Sequence, residues 1–496
     1  MTTTEYDLLG RKVKSGSNVP STVTYSHDHA VEPRGLVTKA VDSVAGRFTG
    51  SYDPDGALVG EKLPGGYSLK QAFDPNGTPV ERTYTRDSDG VIVQSDITTR
   101  SIHGQVTTDA QNSGQTYGYD AIGRLTSVAD TAETVCTKRD YAFDKRSNRT
   151  SLVTATGTPG LDCPTTGGTT TTSTYDSADR LNGAGYTYDA FGRTTAKPGN
   201  VTLGYFTNDR IQQETVGGQR QTWKIDSSKR IRSWTVESGS GSTWAQTQSK
   251  TNHYDCGCDR PSWVVEDSAT GTVTRNVDSI GGGLAATTSK TGNTVLQLTD
   301  IHGDVALLPL DTSVAPTLLD TDEYGNTRAS TPSARYDWLG SQQRSGDTLS
   351  GLTLMGARAY DPKTGRFLQS DAVVNGGANA YGYPADPITM YDLGGKWWWS
   401  ESTWWKIAKC VYAILELAMW AGGVGWLMKA AKIGQAVRII RSVGFSRLYN
   451  LLKALRNTPR RIWWRTGMYY GGALFSAFSV FMGFSSVQED CWDAFR

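Results

Sequence analysis

Tyr119-Asp120-Ala121-Ile122-Gly123-Arg124 and Tyr188-Asp189-Ala190-Phe191-Gly192-Arg193 decide how this 496-residue chain is read. The same unit opens the chain as Tyr6-Asp7 to Arg11. Looser copies begin at Tyr52-Asp53, Phe73-Asp74, Phe143-Asp144, Tyr175-Asp176, Tyr254-Asp255 and Tyr336-Asp337. Each is an aromatic residue, Asp, a few residues, then Gly or a small polar residue, and often Arg. The aromatic favours a pleated, half-buried surface, Asp caps a turn through its side chain, and Gly supplies positive φ where the chain reverses. A unit this short cannot bury an apolar face alone, so it calls for an architecture in which neighbouring copies stack.

Composition agrees. Gly accounts for 55 residues, charged residues for 20% and hydrophobic ones for 37%, a balance that favours short strands and many turns. Between motifs, Thr294 to Thr299 alternates as a strand, Asp300 to Asp304 reads as a turn and Val305 to Leu310 as the returning strand. The Thr-, Gly- and Pro-rich stretch from Thr154 to Thr174 reads as a surface loop. The six cysteines do not suggest a disulfide framework. Cys256 and Cys258 form a C-x-C pair beside His253, but no second pair is spaced for a tetrahedral metal site, so no metal is expected.

A second signal lies at Gly356-Ala357-Arg358-Ala359-Tyr360-Asp361-Pro362-Lys363-Thr364-Gly365-Arg366-Phe367-Leu368, flanked by Tyr336-Asp337-Trp338-Leu339-Gly340 and Asn379-Ala380-Tyr381-Gly382-Tyr383. With the Tyr-Asp repeats, this stretch resembles the core signature of the rearrangement-hotspot (RHS, or YD-repeat) family of polymorphic toxins. The resemblance implies that the hairpins wind into one spiralling sheet closing as a hollow shell, here a truncated one, over residues 1–334. It also implies an RHS-associated core over 335–396 that closes the shell and cuts the chain behind it as an intramolecular aspartyl protease. Mapped by motif, the two carboxylates fall on Asp371 and Asp392, the associated arginine on Arg358, and the cut near Lys396 and Trp397. Two carboxylates sharing a proton can hold one ionised as base and one neutral as acid, with a nearby Arg orienting the charged form. This chain departs from the commoner motif in having Ala372 and Leu393 where Pro follows each Asp, and Lys396 in place of an apolar residue.

After Lys396 the composition changes. Up to Gly395 there are 36 Lys and Arg against 44 Asp and Glu; beyond it there are 14 against 5. Trp397-Trp398-Trp399 and Trp404-Trp405 open this tail. Cys410 to Met428 is 19 residues with one charge, Glu416, and Gly467 to Val487 is 21 residues with none, each long enough for a membrane-spanning helix. Trp and Tyr flank both, and small residues such as Gly422, Gly423, Gly471 and Gly472 would allow close helix contact in lipid. Between them, Lys429 to Arg465 carries ten Lys and Arg and no acid. Its apolar residues Ile433, Val437, Ile440, Leu448, Leu451 and Leu455 lie along one helical stripe, as in a helix lying on an anionic membrane surface.

The fold class expected is therefore mainly β, a YD-repeat sheet followed by an α-helical, membrane-inserting region over 397–496. The function expected is that of an RHS-type toxin: a shell carrying a pore-forming or depolarising effector used between bacteria. A membrane-anchored YD-repeat surface protein is the alternative. An enzymatic, nuclease-like tail fits less well, because the tail has no His and its few acids are not spaced for a metal. No P-loop, dinucleotide fingerprint or paired His ligands occur, so no cofactor and no multiple-turnover chemistry are expected. The partners expected are the anionic lipid of a target-cell membrane, a cognate immunity protein and a secretion-system component, with no nucleic acid. Met1 to Asp7 has no positive region followed by an apolar run, so the localisation expected is membrane, or secreted without a signal peptide.

Overall fold

In the computed structural model the described residues are 2–396, apart from 18, 20, 111–112, 133, 291, 311–315, 320, 329–333 and 374–375. The chain divides into Met1–Trp398 and Trp399–Arg496, and every described residue belongs to the first unit. The candidate spans Cys410 to Met428 and Gly467 to Val487, and Trp397 at the expected cut, lie outside the described residues. Among the described residues no helix is long and apolar enough to cross a membrane.

Among the described residues the architecture is antiparallel β, with one short 3-10 turn at Gly340–Gln342. Fifteen strands, from Thr2–Tyr6 to Thr169–Thr172, pair only with their neighbours in sequence, and thirteen more, from Thr187–Tyr188 to Thr317–Leu318, do the same in a second sheet. Thr353–Met355, Arg358–Asp361 and Arg366–Phe367 make a small third sheet. The resemblance implied one continuous sheet, but the ladder breaks between Thr172 and Thr187, where an isolated bridge joins Tyr175 and Leu181. Two Tyr-Asp turns follow each other closely there. The residues between them, Leu181-Asn182-Gly183-Ala184-Gly185, include two glycines and too few β-formers to build a strand.

The best-formed repeat motifs are turns locked from both sides. At Asp120, one carboxylate oxygen accepts the backbone N–H groups of Ile122 (3.1 Å) and Arg124 (3.0 Å), and the other accepts Nε of Arg124 at 2.7 Å. Asp189 does the same with Phe191 and Arg193. The reversal leaves Gly123 at φ +85° and Gly192 at φ +79°, where a Cβ would be strained. The aromatic residue sits at a register shift in the ladder, as at Gly118/Tyr119 and Ser51/Tyr52, a bulge that adds local twist. Its hydroxyl reaches sideways to the preceding repeat: Tyr119 to the carbonyl of Val106, Tyr188 to that of Leu181 and Tyr205 to that of Thr194. The Arg in turn stacks on the next aromatic, Arg124 on Phe143 at 5.1 Å, Arg193 on Tyr205 at 5.2 Å and Arg230 on Tyr254 at 4.1 Å. Among the described residues, three turns escape the aromatic motif: Asp226, Asp300 and Asp322 each accept the backbone N–H four residues on, behind Ile225, Thr299 and Thr321. The carboxylate makes the turn, and the aromatic only couples it to its neighbour.

The two sheets meet through side chains. Phe48, Leu63, Leu69 and Tyr84 of the first form one buried cluster with Val277, Leu296, Leu298 and Leu308 of the second. Polar groups cross the same seam: Arg275 pairs with the fully buried Asp42 at 2.7 Å, and the backbone N–H of Ile280 donates to Glu61 at 2.9 Å. Residues 335–396 pack into both sheets. Leu125 N–H donates to the carbonyl of Ala385, Thr194 N–H to that of Leu368, and Lys197 pairs with Asp361 at 2.9 Å.

Two expectations are corrected. The cysteines of the described residues are paired, Cys136 with Cys163 and Cys256 with Cys258, at Cα separations of 5.0 and 5.2 Å. The first pairing arises because the chain after Thr156 folds back, Gly157 N–H donating to the carbonyl of Cys136 at 2.7 Å. The second leaves no thiolate pair for a metal. The stretch 154–174 is not wholly loop: Thr169–Thr172 adds to Arg149–Thr156 as an exposed edge strand, since consecutive threonines suit an extended backbone.

Candidate functional site

The small third sheet builds the site. Arg358 begins the strand Arg358–Asp361, and its guanidinium lies 3.7 Å over the ring of Phe367 on the neighbouring strand. Held by this stacking, Nη2 of Arg358 stands 3.0 Å from Oδ2 of Asp371 and 2.9 Å from Oδ2 of Asp392. The structure therefore brings together all three residues expected from the sequence. They are almost fully buried, with side chains 4%, 5% and 2% exposed. The arginine bridges the two carboxylates through one nitrogen.

Each carboxylate is fixed by its own turn. Asp371 donates its N–H to the carbonyl of Ala380 at 2.7 Å and caps Val373 N–H at 2.8 Å. Asp392 caps the N–H of Lys396 at 3.2 Å. Leu393, standing where the commoner motif has Pro, is buried with Trp338, Met355, Tyr360, Phe367 and Tyr383. It anchors the Asp392 turn by burial where proline would do so by restricting the backbone. Gly395 follows at φ +59°, and a Cβ there would lie 2.8 Å from the backbone nitrogen of Arg358. Only glycine lets the chain pass so close to the arginine.

The electrostatics separate the groups. Burial raises the Asp371 carboxyl above its ordinary value, although Arg358 pulls the other way. Burial also lowers Arg358, against the opposing pull of both carboxylates. The raised carboxyl of Asp371 suits it to take a proton, beside the ion pair of Arg358 with Asp392.

Lys396, the last residue before the expected cut, runs through this cluster. Its N–H is held by Asp392. Its carbonyl oxygen and Oδ2 of Asp371 both lie 2.7 Å from the position a Cβ on Gly376 would occupy, so the two oxygens are separated by no more than twice that distance. Asp392 thus holds the N–H of Lys396, and Asp371 lies near its carbonyl.

Sequence reasoning did not single out Gln369 or Gly376, and it marked Tyr383 only as part of a flanking stretch. Gln369 is wholly buried; it accepts Ala359 N–H at 3.0 Å and donates to the carbonyl of Asp209 at 3.1 Å, tying the site to the second sheet. The hydroxyl of Tyr383 is buried without a hydrogen-bond partner, and burial, helped by Asp392, holds it protonated. These residues belong to no repeating pattern, which is why spacing did not mark them.

No family model matches this sequence, and no curated protein is similar to it. Solved structures are. A TcdB2-TccC3-Cdc42 crystal structure superposes with a TM-score of 0.64 at 17% identity, covering 80% of this chain and 21% of that one. TcdB2-TccC3 without its hypervariable C-terminal region gives 0.64 at 18% identity, covering 79% and 21%. A Photorhabdus luminescens Tc holotoxin pore structure gives 0.56 at 17% identity, again covering 79% and 21%. The chain thus spans about a fifth of the length of the chains it matches. At such identity the likeness is one of fold: the antiparallel β architecture of this chain is shared with these TcdB2-TccC3 and Tc holotoxin structures.

Proposed function

We propose that this chain is an RHS-type toxin that cuts itself behind Lys396 and sets free residues 397–496 as a membrane-active effector. The observation that carries the reading is the bridge from Arg358 to Asp371 and Asp392, with Asp392 holding the N–H of Lys396 and Asp371 near its carbonyl. In this mechanism Asp371 takes a proton from a solvent water whose oxygen bonds to the carbonyl carbon of Lys396. Arg358 and Asp392 hold the segment still while the tetrahedral centre forms. The bond between Lys396 and Trp397 then breaks, the proton passing to the Trp397 nitrogen and a carboxylate remaining on Lys396. One similar structure is described as lacking a hypervariable C-terminal region, and the abrupt change in composition after Lys396 is what such a region would look like here. The two uncharged runs and the basic segment between them fit insertion into an anionic membrane, with an immunity protein and a secretion component as partners.

The purified full chain should separate on a denaturing gel into a body and a tail beginning at Trp397 by N-terminal sequencing, and both Asp371→Asn and Asp392→Asn should stay whole. A wild-type chain that remains intact after long incubation would sink the cleavage. Expressing residues 397–496 alone in a bacterium should depolarise its membrane within minutes. Normal growth with the fragment in the membrane fraction would instead favour the anchor, and degraded nucleic acid with intact membrane potential would favour an enzymatic tail.

A further inference from the structure

Resting on the proposed self-cleavage, we infer that Gly376 is a positioning residue for the cut: its missing side chain lets the Asp371 carboxylate and the carbonyl of Lys396 approach across it. Gly376 is buried and its N–H donates to the carbonyl of Val373 at 3.0 Å, so its backbone is pinned. Its φ is not among the positive ones, so the backbone itself does not demand glycine. A Cβ would nonetheless stand 2.7 Å from Oδ2 of Asp371, 2.7 Å from the oxygen of Lys396 and 3.0 Å from the oxygen of Val373. Two of these three neighbours are backbone atoms that cannot swing aside. Any side chain at 376 would therefore wedge the acid away from the carbonyl it serves.

The neighbouring glycine provides the contrast. A Cβ on Gly377 would meet only the oxygens of Asn379 and Gly382, at 3.4 and 3.6 Å, which is ordinary contact. Gly395 is explained by its positive φ. Gly376 is a site glycine whose lack of a side chain is accounted for only by the oxygens it separates. A general base acts through one water on a carbonyl only at near-contact spacing, and displacement by about 1 Å costs roughly 10²-fold in rate.

The test compares cleavage of the full chain in wild type, Gly376→Ala and Gly377→Ala, by gel densitometry across pH, with thermal unfolding measured alongside. The expectation is that Gly376→Ala cuts about 10- to 100-fold more slowly, whereas Gly377→Ala stays within about twofold of wild type. The acidic limb of the Gly376→Ala pH profile should also move to higher pH, because the methyl group excludes water from Asp371; a merely structural defect would lower the unfolding midpoint without moving that limb. Wild-type cleavage with an unimpaired Gly376→Ala, equal slowing in both glycine variants, or slowing with an unmoved limb would each overturn the inference and leave the self-cleavage reading standing. An uncut wild type would overturn both. Should Gly376→Ala not fold, Asp371→Glu, which pushes the carboxylate into the same space, is expected to slow the cut at least about tenfold, and an unslowed Asp371→Glu would refute the role of the spacing.

Discussion

Replacing Glu61 by Gln is expected to stabilise the protein at alkaline pH and leave it nearly unchanged in acid. Glu61 lies in the strand Leu58–Leu63 at the seam between the sheets, 2% exposed. One carboxylate oxygen accepts Ile280 N–H at 2.9 Å, and the other has no hydrogen-bond partner. Burial, only partly opposed by that hydrogen bond and by Arg82, pushes the carboxyl from 4.5 up to about 7. A folded-state value raised above the unfolded one means stability that is complete below pH 4.5 and is lost as pH rises through about 7. A displacement of this size is worth roughly 3 kcal/mol once both states are ionised. Gln keeps the acceptor for Ile280 and carries no charge to bury. Denaturant unfolding followed by Trp fluorescence at pH 4, 6 and 8, in the uncut Asp392→Asn background, should therefore show the variant drawing ahead of its parent as pH rises. The advantage should approach about 3 kcal/mol at pH 8 and fall below about 1 kcal/mol at pH 4. Asp109 and His302, each raised to about 9, and Asp300, raised to about 8, weaken the parent over the same ascending range, so the difference between the two proteins is the diagnostic quantity. Equal midpoints at pH 8 would show that Glu61 is not buried as described and that the seam there is open to water.

Arg275→Met should destabilise the body by about 3–5 kcal/mol in the same unfolding assay, because it strands the fully buried Asp42 carboxylate without its partner, while the double variant with Asp42→Leu should recover most of the loss. Asp120→Ala removes two backbone caps and the Arg124 pair from one turn; a loss of about 1–2 kcal/mol is expected, with hydrogen exchange speeding first at residues 119–125. Non-reducing peptide mapping should recover Cys136 linked to Cys163. Because the bridge spans 27 residues, reducing it should cost about 3–4 kcal/mol on the chain-entropy model, and an unchanged midpoint after reduction would argue against the pairing.

Much of the fold is legible in the sequence alone, and the reason is local. A carboxylate that caps the two backbone N–H groups following it, and a glycine at positive φ, need nothing beyond a few adjacent residues, so the Tyr-Asp units at 6, 119 and 188 spell out hairpins by themselves. Strands joined by such turns can pair only with their neighbours, so the antiparallel meander follows. The motif at 356–368, with the acids at 371 and 392, was visible in the same way, as residue types at family spacing.

What the sequence could not decide is whatever depends on residues far apart in the chain meeting in space. The break between the sheets, their joining through Phe48 and Leu296, and the pairing of Asp42 with Arg275 all depend on how the hairpins stack, and no local pattern encodes that. The turns at Asp226, Asp300 and Asp322 have no aromatic residue to mark them, because the working part of the motif is the carboxylate. The bridging of Asp371 and Asp392 by a single nitrogen of Arg358, and the passage of Lys396 beside Gly376, exist only once Leu393 has buried itself in the aromatic cluster. Burial there is collective: it brings the charges together and removes the water that would otherwise keep them apart, and only the folded chain can do both.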